Sequence, residues 1–200
     1  MTKQAIGIVL LLVGGGCPAH AGSGAVAGIV TSGAAPGAPV ANAVAMIMGP
    51  SVPAVPGAPH AVMDQRHSTF VPRVLAVVVG TTVDFPNHDP RLHNVFSTSP
   101  TKTFDLGMKD QGQTVSVTFD AAGVVEVRCN VHPKMAGVIV VHTNPYVAVS
   151  DAQGAYTIRD VPPGSYQLRV WDERHAVRTV PVEVSDGAVS ALDVALSAEP

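Results

Sequence analysis

Apolar and polar residues alternate one by one through much of the middle of the chain. In "QTVSVTFD", Val115, Val117 and Phe119 fall on one face of an extended segment. In "VVEVRC", Val125, Val127 and Cys129 share a face, while Glu126 and Arg128 point the other way. A period of two is that of a strand with one face on a core. "VLAVVVGTTVDF" divides at Gly80 into two strands, and "HNVFSTS", "KTFDLG" and "AGVIVVH" recur at short intervals. Short strands punctuated by turns from His60 to about Thr143 predict a β-sandwich. Cys129 closes one of its strands on the inward side.

The flanks repeat the theme more loosely. "GAVAGIVTSGAAPGAPVANAVAMIMG" predicts strands near 25–30 and 41–48 with a Gly/Pro turn between them. Pro50, Pro53, Pro56 and Pro59 then recur every third residue, which favours extended polyproline II and a semi-rigid linker. "TNPY" marks a second joint. Beyond it, "VAVSDAQGAYTIRDVPPGSYQLRVWDERH" carries turn signals at 151–154 and 161–164, and further strands are expected near 179–184 and 189–196. This predicts a second, smaller β unit, with Trp171 as a core or domain-contact aromatic.

The N-terminus changes how the chemistry is read. Lys3, the apolar run from Ile6 to Val13 and the small-residue triplet Ala19-His20-Ala21 have the form of a secretory signal that ends before Gly22. The run is too short and glycine-rich to span a membrane. Lipidation at Cys17 is the alternative, but Gly14-Gly15-Gly16 lacks the usual aliphatic residue. Export to the periplasm is therefore expected, with no transmembrane segment in the mature chain. The chain has two cysteines, and loss of Cys17 with the signal leaves Cys129 alone in an oxidising compartment. Such a thiol is free, intermolecular or metal-bound, and its susceptibility to oxidation favours metal. With 46% apolar residues, 14% charged and a formal charge of −3, the chain has material for a core but no basic run for nucleic acid.

"RCNVHPKMAG" places Cys129, His132 and Met135 three apart. A thiolate, two imidazoles and a weak axial thioether make up a blue-copper site. The second imidazole must come from elsewhere, and His93 in "DFPNHDPRLHNVFS" is the candidate because it opens a strand. His88 in the same loop is its rival. His67, His142 and His175 are expected to face solvent. Zinc could occupy a Cys/His2 set, but nothing supplies a general base beside an open coordination position. No catalytic residues are predicted, and the chain is not expected to be an enzyme.

These motifs resemble the cupredoxins, the family of plastocyanin, pseudoazurin and amicyanin. The resemblance covers residues 60–143 and rests on "HNV", on Cys-x-x-His-x-x-Met and on the final strand "GVIVV". It implies one type 1 copper ion, with His93, Cys129 and His132 as equatorial ligands and Met135 as the axial one. It further implies that Asn94 ties the two ligand loops together by hydrogen bonds and donates to the Cys129 sulfur. The implied activity is single-electron carriage by Cu(I)/Cu(II) cycling with redox partner proteins, through the edge of His132. An apolar patch of Pro86, Pro90, Leu92 and Pro133 would surround that edge. Val131 stands where many relatives have proline, so its N–H either points at the Cys129 sulfur or faces away. A copper carrier or storage module without redox cycling is the alternative function, and an adhesive protein with a vestigial loop a third.

A second resemblance is to the carboxypeptidase regulatory-like domain, a small transthyretin-like β-sandwich. It rests on "DAQGAY" and "VPPGSY", with "AGIV" and "PVANAVAMI" at the front of the chain. The expected architecture is all-β, a cupredoxin Greek-key β-sandwich inserted into or adjoining the smaller sandwich. The divisions are a signal at 1–21, N-terminal strands at 22–49, the linker 50–59, the copper domain 60–143 and the rest of the small sandwich at 144–200. A monomer is expected.

Overall fold

The computed structural model describes residues 22–33, 37–49 and 60–198. The expected signal at 1–21 and proline linker at 50–59 lie outside the described residues. Every regular element among the described residues is a strand, and no helix there is long and apolar enough to cross a membrane.

The central residues form two facing sheets. One is ordered Lys102–Lys109, His93–Ser99, Gly123–Arg128, Ala136–His142, Val74–Val78. The other is ordered Thr114–Phe119, Thr81–Pro86, Ala61–Val62. Val83, Phe85, Val117 and Phe119 meet Val95, Val125, Val127, Ile139 and Val141 in one core that also takes in Cys129 and Met135. The inward residues are those the alternation selects. The strand expected at "KTFDLG" runs on to Lys109 through a bulge between Asp105 and Met108, where Gly107 sits at a φ of 68° that glycine adopts without steric cost.

A second sandwich is assembled from both flanks. Gly24–Ser32 pairs antiparallel with Ala155–Val161 and parallel with Val189–Ala191 and Val194–Leu196. Val44–Met48 lies between Val147–Val149 and Gly164–Trp171, with Arg178–Val184 beyond. Val26, Ile158, Ile47, Leu168, Val170 and Val182 share its core. The strand expected from 41 begins only at Val44, because Asn42 takes a left-handed φ of 64° in a turn, a conformation that asparagine tolerates better than most residues.

The two sandwiches share a third apolar layer. Val44 and Met46 project from one, and Val74, Val138 and Val140 from the other, with Trp171, Val147 and Val149 packed alongside. Val44–Met48 and Ala136–His142 are thus buried on both faces, which accounts for their unbroken apolar runs "VAMIM" and "AGVIVV". This layer corrects the expectation for His142. It is buried, and its Nε2 lies 3.0 Å from the Ile47 carbonyl oxygen, which also accepts a hydrogen bond from Asn144 Nδ2. The face expected to be wet is the one the second sandwich covers. His175 is likewise half-buried, its Nδ1 2.8 Å from Asp172 Oδ1. His67 is exposed, as expected.

A charge placed in the shared layer has no partner there. Val140 is 3% exposed, whereas Val189 is 65% exposed. Val140→Asp should therefore cost on the order of 3–5 kcal/mol, and Val189→Asp no more than about 0.5 kcal/mol. Urea unfolding of both variants checks this; equal midpoints would mean that the layer is not a packed interface.

Candidate metal centre

Strand pairing creates the site. Arg128, the last residue of its strand, pairs with Phe96 on one side and Ala136 on the other. The next residue, Cys129, therefore emerges at the pole where His93 opens its strand. The segment from 129 to 135 folds back on itself: Cys129 N–H donates to Met135 O, and Met135 N–H to His132 O. Asn94 joins this loop to the neighbouring one. Its Oδ1 accepts from Asn130 N–H at 2.8 Å, and its Nδ2 donates to Asp105 Oδ1.

Three donor atoms converge. Cys129 Sγ lies 3.8 Å from His93 Nδ1 and 3.9 Å from His132 Nδ1, and the ligand atoms of all three residues lie within 4.8 Å of one another. Donors bound to one small metal at bond lengths of about 2.0–2.3 Å stand roughly 3.7 Å apart in a trigonal plane. The spacing fits, and one soft thiolate with two imidazoles is a donor set that accepts both copper oxidation states. Met135 is buried in the same core as Cys129. His93 is fully buried and His132 only partly, so the His132 ring reaches the surface. The apolar side chain of Leu92 is exposed, as are Pro90, Val131 and Pro133, while Pro86 is half-buried.

His88 stands elsewhere. Its Nδ1 lies 2.9 Å from both oxygens of Asp64. Burial pushes the Asp64 carboxyl up, but His88, Arg66 and the Gln65 amide outweigh it and hold the group below its ordinary value. The Val131 N–H forms no hydrogen bond with the Cys129 sulfur among the described residues, and Asn94 donates to Asp105 rather than to that sulfur.

Sequence reasoning missed Asp89, four residues before His93. It is buried, and its Oδ2 lies 3.2 Å from His93 Nε2. Burial pushes its carboxyl up, but the Ser68 amide, His93 and the Arg91 amide together hold it below the usual range. The only signal in the sequence is the acid at this spacing in "HDPRLH".

Two family models match parts of the chain. The family model described as copper binding proteins, plastocyanin/azurin family, matches residues 59–142. The carboxypeptidase regulatory-like domain matches 132–197. Among solved structures, a reduced amicyanin variant is 30% identical, covering 49% of this chain and 98% of its own, with a TM-score of 0.39. A Cu(I) form of another amicyanin variant is 28% identical over the same shares, with a TM-score of 0.40. A purple cupredoxin from Nitrosopumilus maritimus is 26% identical, covering 41% of this chain and 99% of its own, with a TM-score of 0.38. No curated protein matches. Donor atoms and family model coincide on one stretch of sequence: the chain carries a copper-binding domain of the plastocyanin/azurin family, joined to a carboxypeptidase regulatory-like domain.

Proposed function

We propose that the protein is an exported type 1 copper protein that carries single electrons between partner proteins. The observation that supports this most directly is the convergence of Cys129 Sγ with two imidazole nitrogens at 3.8 and 3.9 Å. In this reading His93, Cys129 and His132 are the equatorial ligands and Met135 the axial one. Bound copper supplies the one-electron couple. The chain holds the donors in place before and after transfer: the loop is closed by its own backbone bonds and tied to Asn94. Burial of His93, Cys129 and Met135 keeps water away from three of the four donors. The partly exposed His132 ring is the electron's exit, and the exposed Pro90, Leu92, Val131 and Pro133 are the apolar surface on which a redox partner docks. The leader-like N-terminus supports export to the periplasm. Residues 60–143 form the copper domain, with 22–49 and 144–200 making up the second sandwich.

Two outcomes follow. With Cu(II) the protein should show an intense thiolate charge-transfer band that bleaches on reduction. Cys129→Ser should abolish the band, His93→Ala should open the site to added ligands, and His88→Ala should leave the spectrum unchanged. Loss of the blue band in His88→Ala would reverse the ligand assignment.

Residues 60–143 produced alone should also bind copper, since every donor and every strand of their core lies within them. They should unfold cooperatively at a lower urea concentration than the full chain, because Val74, Val138 and Val140 lose their cover. An absent cooperative transition would refute the domain division.

A further inference from the structure

Behind His93 stands a hairpin that the electron-transfer reading leaves without a role. Asp64–Arg66 and Thr69–Val71 pair antiparallel across His67 and Ser68. Both turn residues have positive φ, 51° and 55°. A two-residue turn with both centres left-handed is the kind that Asn-Gly sequences favour, because side chains at such positions are strained. Strain of this sort persists where surrounding structure imposes it, and it clusters at functional sites. Here the turn delivers one group: Ser68 N–H donates to Asp89 Oδ2. Asp89 is itself 3% exposed, its backbone N–H bonded to Asn87 Oδ1, and Asn87 is held in turn by the carbonyls of Arg91 and Lys109. The same Oδ2 lies 3.2 Å from His93 Nε2. That nitrogen is fully buried, Asp89 Oδ2 is the carboxylate oxygen against it, and it makes no aligned hydrogen bond, to Asp89 or to any other group.

We propose that Asp89, carried by the Ser68 turn, is a positioning residue for His93 that also lowers the site's reduction potential. A histidine that binds a metal through one nitrogen needs its proton on the other, and the partner of that proton sets tautomer and ring orientation. Asp89 supplies the acceptor on the Nε2 side, so the Nδ1 lone pair is left facing the Cys129 sulfur. A carboxylate against a ligand ring also favours the more positive copper state, Cu(II), over Cu(I). The inference rests on the copper reading for its effect on potential, but its effect on the His93 tautomer does not.

Two variants of the full-length protein separate these effects. Asp89→Asn retains shape and removes the charge. Its blue band should persist, while the equilibrium shifts toward Cu(I) about tenfold, a rise of about 59 mV for one electron. Asp89→Ala removes the acceptor. In the protein without copper, nitrogen-15 NMR should find the His93 proton on Nε2 in the parent and partly on Nδ1 in Asp89→Ala. As a control, His67→Asn with Ser68→Gly keeps the turn and its N–H, and should raise stability while leaving the potential unchanged. An unchanged potential in Asp89→Asn with the blue band intact overturns the proposed lowering of potential, and an unchanged tautomer in Asp89→Ala overturns the positioning role. If Asp89→Ala fails to fold, the potential of Asp89→Asn alone decides. A parent protein without a blue band overturns the copper reading, and the potential claim with it, whereas the tautomer measurement still reports on Asp89.

Discussion

Strand Gly123–Arg128 is hydrogen-bonded on both edges, and the copper pole depends on that. One edge fixes Ala136–His142 and so the far end of the loop that carries His132 and Met135. The other edge meets His93–Ser99 at a single pair, Arg128 with Phe96. A slip of one residue would turn Cys129 from the core to the solvent face, because side chains alternate with a period of two. The Asn94 bond to the Asn130 amide sits two residues beyond the last strand pair and continues the pairing where the strand has ended. The donor geometry therefore follows from sheet register, with the loop's own hydrogen bonds as the final constraint.

The same sheet meets the second sandwich on its other side. Ile139 and Val141 face the copper-side core, whereas Val138 and Val140 face Val44 and Met46. One strand thereby links two hydrophobic cores, and its movement would disturb both. The polar end of this layer is also satisfied, since the Ile47 carbonyl accepts from Asn144 beside the buried His142 ring. A polar group left without a partner there would cost more than an exposed one. The second sandwich has no convergent donor group of its own among the described residues. Its physical contribution is to cover one face of the copper unit.

Charge is distributed unevenly around the centre. Beside the three donors the exposed Pro90, Leu92, Val131 and Pro133 carry no charge, whereas acids lie on the far side of His93, where Asp89 and Asp64 are held by amides, histidines and Arg66. The exposed side also carries two solvent-facing cations on long stems, Arg91 and Lys134. The buried side instead carries a fixed carboxylate with restricted freedom to reorient.

The sequence alone determined the strand alternation, the inward side of Cys129, and the loop spacing that joins Cys129, His132 and Met135. These are local properties, set by a period of two and by residues within seven positions. The "HNV" motif favoured His93 over His88 and placed Asn94 beside it, but the Asn94 amide, expected to donate to the Cys129 sulfur, goes to Asp105 instead. Tertiary structure decided what lies across space. Gly24–Ser32 finds three of its four partner strands more than a hundred residues away, and local periodicity does not encode a strand's partner. His142 looked exposed because alternation describes only one face of a sheet, and the second face is settled by what packs on it. Asp89 was illegible for the same reason: its acceptor role exists only because a distant turn and the His93 ring meet around one carboxylate oxygen.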